Sequence, residues 1–403
     1  MITYLLVFAL SLFTVALSIK PLITVAIRKR LFDAPSESRK IHKRIIPNLG
    51  GLAIFTGFLL AAALFVDISS FWNANYILAA GVIIFIIGLK DDLIGVDPMK
   101  KFAAQFLAGF LVTILGDIRI MNLGGLFGIH ELAYPFSVGL SIFLFVGFIN
   151  AYNLVDGIDG LAGFLGLMTA LVYAGLFYYA GYPQWTCICL ALAGALAGFL
   201  VHNVSPARIF MGDCGSLMLG FMVAALTIQF INVAGKAVIE IGSVSVSSAP
   251  ALALSIAVLP VFDTLRVFTI RIINNQSPFK ADRNHMHHRM LALGMNHMQA
   301  TATLVSVSLV FIATAFFLQK IGNNQLFATL VLVIILLNTT LSIYLYSKKI
   351  LDEVAVPGSN LNSAGDRPGK PNGAGAKFTS EGNEFAEKVL REVSTEMDQE
   401  HLS

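Results

Sequence analysis

The chain has 403 residues, of which 56% are hydrophobic and only 13% are charged, and its formal net charge is +3. Its apolar residues stand in long runs instead of the periodic patterns of soluble domains, which is typical of a membrane protein. The composition excludes an ordinary soluble protein and gives no indication of a nucleic-acid partner. The three cysteines, Cys187, Cys189 and Cys214, have neither a CxxC nor a metal-ligand spacing, so we expect no disulfide framework.

Eleven apolar runs predict an all-α fold, that of a polytopic integral membrane protein with about eleven transmembrane helices. Runs of about 18 apolar residues match a hydrocarbon layer roughly 30 Å thick, in which a helix satisfies its own backbone groups. The first run lacks the basic start and the cleavage site of a secretory signal, so we expect it to be retained. The runs lie near residues 2–19, 49–66, 75–89, 102–115, 135–149, 161–179, 185–200, 216–231, 249–267, 302–318 and 326–346.

Positive charges predict the orientation of these helices, because Lys and Arg concentrate in cytoplasmic loops. With the N-terminus outside and the C-terminus inside, 24 of the 27 Lys and Arg lie on the inside. The exceptions are Arg119, Lys236 and Lys320. Of the outside loops, residues 116–134 alternate weakly around a Gly-Gly pair and predict a small hairpin.

The composition changes near residue 350 and predicts two parts of the chain. Residues 1–350 form the transmembrane domain, and residues 351–403 form a cytoplasmic tail. Most of the tail is predicted to be disordered, because residues 356–377 are rich in Gly, Pro, Asn and Ser and have little apolar content. The spacing of Phe385, Val389 and Val393 predicts a short amphipathic helix near the end.

The third run ends in IIGLKDDLIG, with two adjacent carboxylates, Asp91 and Asp92, at a predicted helix C-terminus. Carboxylates at this end oppose the helix dipole, and adjacent ones repel each other. One interpretation is a solvated helix end, with Lys90, Lys100 and Lys101 as counter-ions. The other is functional: one carboxylate binds a cation while its neighbour, with a raised pKa, accepts a proton.

The stretch NAYNLVDGIDGLAG, residues 150–163, joins the fifth and sixth runs. If it is helical, Asp156 and Asp159 share one face with Asn153, and the glycine after each acid lets a ligand approach the backbone. A helix cap would explain one Asp. It does not explain two acids together with the amides of Asn150 and Asn153, and acids next to a membrane indicate a functional site.

The stretch HNVSPARIFMGDCGS, residues 202–216, places Asp213 at a predicted helix start, where free N–H groups attract anions. A carboxylate beside a phosphate site is explained if Mg²⁺ bridges them, because this ion binds one or two carboxylates together with phosphate oxygens. Asn203 offers an amide for the edge of a base. Phe210 offers a face for stacking a base, although simple packing would explain it as well.

The stretch NQSPFKADRNHMHHRM, residues 275–290, is rich in histidine and basic residues. A zinc site would need a further ligand that the spacing does not supply. A phosphate-binding loop explains the composition better, because Arg and His donors stabilise charge on a departing phosphate. Acids around a metal with a basic loop opposite them indicate phosphoryl-group transfer. The basic residues are Lys280, Arg283, His285, His287, His288 and Arg289.

Four motifs resemble those of the polyprenyl-phosphate N-acetylhexosamine-1-phosphate transferases of glycosyltransferase family 4, and the resemblance covers about residues 1–350. The segment RKIHKRIIPNLGG, 39–51, is similar to the family's basic segment before a helix that starts with Gly-Gly. The four motifs are GLKDDLIG, NAYNLVDGIDGLAG, ARIFMGDCGSLMLG and SPFKADRNHMHH.

The resemblance implies that undecaprenyl phosphate attacks the β-phosphate of a UDP-N-acetylhexosamine and that UMP leaves. It implies a multi-pass protein of the bacterial cytoplasmic (inner) membrane, with a periplasmic N-terminus, an active site on the cytoplasmic face and membrane lipid around it. A homodimer is compatible with it. The sequence NHMHHRM is similar to the branch that transfers N-acetylglucosamine-1-phosphate for O-antigen or related polysaccharides, and differs from the branch that uses a UDP-muramoyl-pentapeptide.

The resemblance also implies roles for individual residues. Asp91 would be the base, Asp92 would support the metal or the lipid phosphate, and Asp213 would be the main ligand of Mg²⁺, which Mn²⁺ could replace. Asp156 and Asp159 are assigned to the catalytic group and would help to hold the uridine. The remaining catalytic residue is His285, and the substrate-binding residues are Lys43, Asn150, Asn153, Asn203, Phe210, Arg283, His287 and His288.

Two other functions remain as alternatives. A secondary transporter would use acids in the middle of its spans to couple ion flux, whereas the acids here lie at predicted span ends on one side. A CDP-alcohol phosphatidyltransferase is also Mg²⁺-dependent, but its long Asp-rich signature is missing from this sequence.

Overall fold

The structure is a computed structural model and describes residues 1–29, 46–67, 73–276 and 285–355. Within these residues the chain forms thirteen α-helices and two short antiparallel hairpins. A π-helical turn, Leu111–Leu115, extends α4, and a 3-10 turn, Gln319–Ile321, precedes α13. The helices are α1 (Ile2–Arg28), α2 (Gly50–Phe65), α3 (Ala74–Ile94), α4 (Pro98–Phe110), α5 (Tyr134–Val155), α6 (Leu161–Tyr179), α7 (Pro183–Asn203), α8 (Gly212–Ala234), α9 (Ala249–Ile256), α10 (Val258–Ile273), α11 (Met286–Ala292), α12 (His297–Phe317) and α13 (Asn323–Ala355). The strands are β1 (Asn122–Leu126), β2 (Ile129–Glu131), β3 (Glu240–Ile241) and β4 (Val244–Ser245).

The prediction of a helical, multi-pass membrane protein is confirmed. In the described part of the chain, eight helices are long and apolar enough to cross a membrane, or nine if α9 and α10 are one broken span. Each of the eleven predicted runs coincides with helical structure, but α2 has only 16 residues and α3 ends in charged residues. The exact count of eleven and the orientation of the termini stay predictions.

The predicted span 249–267 is broken: α9 and α10 meet at a bend of 76°. Pro260 explains the break, because it has no N–H to donate to the carbonyl of Ile256 four residues earlier, and its ring clashes with that carbonyl. The bend directs α10 along a new course, on which Asp263 becomes a buried residue.

Helix α8 forms the centre of the bundle, and α1 and α13 lie at its periphery. In α8, 89% of the most apolar window is buried inside the protein, whereas the figures for α1 and α13 are 22% and 17%. Apolar side chains of the two peripheral helices are exposed, as expected for surfaces that contact lipid. The start of α8 therefore lies where several helices converge.

Glycines let α2 and α3 approach the start of α8 at backbone distance. A Cβ added to Gly88 would lie 2.7 Å from Cys214 Cα, and one added to Gly51 would overlap the backbone of Gly215. Only glycine fits such contacts between helices. The close packing fixes the ends of α2 and α3 against Asp213 and Cys214.

The polar motifs converge at one end of the bundle, as the sequence predicted. Side-chain contacts join the end of α3, the starts of α4 and α8 and the end of α5. The predicted hairpin in the 116–134 loop is present as β1 and β2, and it lies at the opposite end. There Phe127 donates its backbone N–H to Asn324 at the start of α13, and Asn232 near the end of α8 bonds Met121 and Arg119.

Candidate active site

The centre of the site is a cluster formed by Asp91, Lys101 and Asp213, which we call the acid cluster. Lys101 Nζ lies 3.0 Å from Asp91 Oδ2 and also contacts Asp213 Oδ2, so one ammonium group bridges the two carboxylates. All three side chains are partly buried, which strengthens their electrostatic attraction relative to surface pairs. The sequence analysis treated Lys101 only as a counter-ion of the helix end and did not predict this bridge.

Asn153 connects the acid cluster to the end of α5. Its Nδ2 donates to Asp213 Oδ1 at 2.8 Å and lies 2.9 Å from Ser216 Oγ. The sequence pattern placed Asn153 beside Asp156, whereas its contact is with Asp213, and its predicted substrate contact stays a prediction. Asn150, one turn earlier, donates instead to Gln105 Oε1 at 2.7 Å and to the carbonyl of Val146. Its amide holds α5 to α4, and its predicted substrate contact stays a prediction.

Asp92 forms the N-terminal cap of α8, although it belongs to another helix. Its two carboxylate oxygens accept the backbone N–H groups of Asp213 at 2.7 Å and Cys214 at 2.9 Å, two of the donors that a helix start leaves unsatisfied. Gly212 permits this contact, because its φ is +71° and a Cβ there would lie 2.8 Å from both oxygens. The predicted metal role of Asp92 is untested, and the carboxylate that shares a cation with Asp213 is that of Asp91.

Asp156 and Asp159 have different surroundings, because the segment between α5 and α6 is a turn. α5 ends at Val155, and Gly160 adopts the left-handed conformation with φ +79°. Helical i, i+3 spacing of the two acids is therefore wrong. Asp156 accepts no hydrogen bond from the described residues. Burial is the largest cause that raises its pKa, and together with the charges of Asp213 and Asp92 it brings the pKa to about 7.

Asp159 has structural contacts on both sides of the turn. Its Oδ2 accepts the N–H of Ala207 at 3.3 Å, its Oδ1 lies 3.4 Å from His297 Nδ1, and its backbone carbonyl accepts the hydroxyl of Thr301 at 3.0 Å. These bonds hold the loop after α7 and the start of α12 to the turn. A catalytic role for Asp159 stays a prediction.

The two residues predicted to bind a base, Asn203 at the end of α7 and Phe210 in the loop that follows, differ in exposure. The buried amide of Asn203 is occupied, since its Oδ1 accepts the N–H of Gly160 at 2.9 Å and its Nδ2 donates to the carbonyl of Ile209 at 2.8 Å. Phe210, in contrast, is 37% exposed. The contacts of Phe210 and Asn203 with a base both stay predictions.

The described end of the histidine-rich stretch, residues 285–290, is named the histidine loop here although it forms the start of α11. It is attached to α10 by Asp263, which the sequence pattern did not predict. Asp263 is 2% exposed, and its Oδ2 lies 3.1 Å from His285 Nδ1. Both of its oxygens accept the N–H of Met286, and Oδ1 also accepts Arg266 Nη2 at 3.0 Å. The sequence does contain an indication of this role. An acid within the apolar run 249–267 is costly unless it has a function or a partner.

His287 packs between the other histidines and the turn after α5. Its ring is parallel to that of His285, with centroids 5.9 Å apart, and lies 4.3 Å from that of His288. A Cβ at Gly157 would overlap the His287 ring, so the glycine leaves the space that this ring fills. Burial lowers the pKa of His287 to about 4, and His288 contributes in the same direction, which keeps His287 neutral at pH 7.

In the described part of the chain, Arg289 makes hydrogen bonds that hold two helices together. Its guanidinium donates to Asn338 Oδ1 at 2.5 Å and to Ser342 Oγ at 2.7 Å, which joins α11 to α13.

Three basic residues predicted near the phosphates, Lys43, Lys280 and Arg283, lie outside the described residues. The same holds for most of the basic segment 39–51 and for the tail beyond residue 355.

The acid cluster fits a hard divalent cation. Within the described residues there is no group of three or more His, Cys, Asp or Glu side chains arranged as a complete metal site. Mg²⁺ does not need such a group, because it keeps several waters and uses one or two carboxylates together with substrate phosphates. Asp91 and Asp213 already share one cationic group, the ammonium of Lys101.

Fold and site together define a multi-pass membrane protein with a carboxylate cluster and a histidine loop at one end of its bundle. The model of glycosyl transferase family 4 matches residues 74–231, which include the acid cluster. A probable undecaprenyl-phosphate N-acetylglucosaminyl 1-phosphate transferase of Bacillus subtilis is 31% identical over 325 residues, 79% of this chain and 86% of that protein. The chain belongs to glycosyl transferase family 4.

Further relatives have closely related names. A decaprenyl-phosphate N-acetylglucosaminephosphotransferase of Mycolicibacterium smegmatis is 34% identical over 296 residues, 68% of this chain and 72% of that protein. An undecaprenyl-phosphate alpha-N-acetylglucosaminyl 1-phosphate transferase of Escherichia coli K12 is 29% identical over 281 residues, 68% and 73% of the two chains. The resemblance to the N-acetylglucosamine-1-phosphate transferase branch is thereby confirmed.

Proposed function

We propose that this protein transfers N-acetylglucosamine-1-phosphate from UDP-N-acetylglucosamine to undecaprenyl phosphate. The products are UMP and a lipid-linked pyrophosphoryl sugar that begins O-antigen or a related cell-envelope polysaccharide. The family and the names of the relatives support the reaction class. The single observation that carries the proposal is the bridged pair of carboxylates, Asp91 and Asp213, at the end of a transmembrane bundle. There a water-soluble nucleotide and a lipid headgroup can both reach the site.

The reaction joins two phosphates that repel each other. An oxygen of the lipid phosphate attacks the β-phosphorus of the UDP-sugar, and the bond from this phosphorus to the oxygen shared with the α-phosphate breaks, so that UMP departs. Catalysis of such a transfer depends on positioning and on charge neutralisation. Asp91 and Asp213 would hold Mg²⁺, or Mn²⁺ in its place, and the chemistry this ion supplies when bound is neutralisation of the diphosphate charge.

Lys101 supplies a second positive charge at the same place. Its four-carbon chain reaches Asp91 and Asp213 from α4, and the ammonium group can turn to a phosphate oxygen when a substrate enters. Because Lys101 is already held by two carboxylates, little further ordering of its side chain is required. Substrate and lysine would therefore share the cluster without a large rearrangement of the helices.

Asp156 is the carboxylate best suited to accept a proton from the lipid phosphate. Asp91, the base implied by the resemblance, accepts the N–H of Val96 at 2.6 Å and pairs with Lys101, so it is held as an anion for a cation. Asp156 has no hydrogen-bond donor among the described residues, and burial, the largest cause, raises its pKa above the ordinary carboxyl value, which suits a carboxylate that accepts a proton. We therefore assign the base to Asp156 and cation binding to Asp91.

The remaining predicted groups would surround the two ends of the donor. The exposed ring of Phe210 would stack on the uracil, and His285 would contact the diphosphate. Lys43 and Arg283 keep their predicted phosphate contacts. By the positive-inside rule this end faces the cytoplasm, and the membrane would be the bacterial inner membrane. No contact in the described structure favours the transporter alternative.

The proposal is tested with purified protein in nanodiscs that contain undecaprenyl phosphate. Each of a panel of UDP-sugars is added, and UMP release is measured with Mg²⁺, with Mn²⁺ and with a chelator. We expect release with UDP-N-acetylglucosamine and a divalent ion, and none with the chelator. No release with any UDP-sugar, or release that the chelator leaves unchanged, would contradict the proposal.

A further inference from the structure

We infer that Asp263 is a positioning residue that holds His285 by Nδ1 and leaves only its Nε2 for the substrate diphosphate. The inference deepens the proposed function and rests on it for the identity of the substrate. Neither the family model, which ends at residue 231, nor the motifs quoted above include Asp263. The residue never touches substrate in this account and acts through His285.

The surroundings of Asp263 show that its contacts are built into the fold. It lies on α10, shortly after the 76° bend, and is almost fully buried. Its four short contacts come from Arg266 on its own helix and from His285 and Met286, more than twenty residues later. Arg266 offsets the negative charge, so that the buried carboxylate is paired rather than isolated.

These contacts determine which nitrogen of His285 is free. A carboxylate only accepts hydrogen bonds, so Nδ1 must carry the proton that it shares with Asp263. Nε2 is then the nitrogen left for a ligand, accepting a proton when the ring is neutral and donating one when the ring is charged. A side chain that could rotate freely would present either nitrogen.

The backbone contact fixes the position of the ring as well as its tautomer. His285 is the N-cap of α11, with φ −64° and ψ 154°, and Asp263 accepts the N–H of the next residue, Met286. The His285 ring is parallel to that of His287, which packs against Gly157. Gly157 directly follows Asp156, the proposed base. Asp263 thereby ties the histidine loop to the side of the site on which the acids lie.

The substitution Asp263→Asn should change the tautomer of His285 while it preserves the fold around α11. The Asn oxygen can still accept the N–H of Met286, which preserves the cap of α11. The Asn amide donates, so it forces His285 Nδ1 to become the acceptor and moves the proton to Nε2. We expect kcat for UMP release to fall by roughly 100-fold, while KM for UDP-N-acetylglucosamine changes by less than about threefold.

Thr264→Val is the matched control. Its hydroxyl is buried and makes no hydrogen bond within the described residues, and Val has nearly the same shape. We expect this neighbour on α10 to keep kcat and the thermal unfolding midpoint close to the wild-type values. An equal loss of kcat in Thr264→Val and Asp263→Asn would show general damage to α10 and would overturn the assignment.

A double-mutant cycle with His285→Ala tests whether Asp263 acts through the histidine. We expect His285→Ala alone to lower kcat by about 100-fold, and addition of Asp263→Asn to lower it no further, because residues that act as a unit are not additive. Independent losses that multiply would overturn the inference. Full activity of His285→Ala would overturn it as well.

The tautomer can be read without turnover. In full-length protein labelled with ¹⁵N-histidine, the His285 signals are identified by their loss in His285→Ala. We expect a protonated Nδ1 in the wild type and a protonated Nε2 in Asp263→Asn. A wild-type His285 with its proton on Nε2 would overturn the inference. A protein that shows the expected tautomers but releases no UMP would instead contradict the proposed function.

Discussion

The two sides of the site are attached to the protein in different ways. The start of α8 is held by direct backbone packing in addition to the Asp92 cap: Gly51 and Gly88 bring two other helices to it without intervening side chains, and Gly51 donates its N–H to the carbonyl of Met211. The histidine loop around α11 is held mainly by side chains, those of Asp263 and Arg289. A change at the start of α8 should therefore affect folding together with chemistry, whereas a change at α11 should affect chemistry more selectively.

The largest expected effect on activity is that of Asp213→Ala at the start of α8. Removing this carboxylate takes away one of the two proposed cation ligands, and we expect turnover to fall at least about 10³-fold. UMP release in nanodiscs measures it. Asp117→Asn, at the opposite end of the bundle beside Arg119, is the control and should keep wild-type turnover. Full activity of Asp213→Ala would remove Asp213 from the cation site.

The largest expected effect on folding is that of Gly51→Ala. The added methyl group would overlap the backbone of Gly215, and backbone cannot move aside as a flexible side chain can. We expect a loss of more than about 3 kcal/mol of stability, seen as a lower unfolding midpoint or lost expression.

Gly139→Ala is the control for this change, because nothing lies within 4 Å of a Cβ at that position of α5. There we expect unchanged or slightly higher stability, since Ala favours a helix over Gly. If Gly51→Ala were as stable as Gly139→Ala, the close approach of α2 to the start of α8 would be wrong.

A smaller effect is expected on the histidine side, from the pH dependence of stability. The pKa of His287 is lowered to about 4 in the folded protein, so between pH 6.5 and 4 the unfolded chain binds a proton that the folded chain does not. Stability therefore falls as the pH falls through this window, by up to about 3 kcal/mol. His287→Asn should flatten the decline in unfolding midpoint between pH 6.5 and 4.5.

The exposed His130 of the β1–β2 hairpin provides the comparison for His287. His130→Asn should leave the pH profile of the unfolding midpoint as in the wild type. Should His287→Asn and wild type decline in parallel, the buried, neutral state of His287 would be refuted.

The smallest effect is expected from deletion of residues 352–403. The deleted segment contains none of the motifs, and the described contacts of the site all lie before it. UMP release should stay close to the wild-type rate. A truncated protein that inserts normally into the membrane but is inactive would show that the tail contributes to the reaction.

The sequence predicted the parts of this protein that depend on local pattern. The apolar runs predicted the helices. The positions of Asp91, Asp156 and Asp213 at the ends of predicted spans indicated that these acids lie at one end of the bundle. It did not predict contacts between distant segments, such as Asp92 with the α8 start or Asn203 with Gly160. These contacts depend on how the helices pack against each other, and the spacing of residues along the chain does not predict that packing.

Two further differences between the sequence prediction and the structure also arise from tertiary packing. Asp263 lay inside a predicted span and was read as part of it, because the bend before it and its distant partners are tertiary features. The chain leaves the helical conformation at Asp156, the residue after α5, so Asp156 and Asp159 do not share the helix face on which the sequence pattern placed them. Asp156 is close enough to Asp213 for their charges to interact, whereas Asp159 holds the loop after α7 to the turn.

The most direct test of the central claim is the binding of Mn²⁺ to the acid cluster, measured by electron paramagnetic resonance titration of full-length protein with UDP-N-acetylglucosamine present. We predict one site in the wild type and in Asp117→Asn, and an affinity at least about tenfold weaker in Asp213→Ala. Equal affinity in all three proteins would contradict the account.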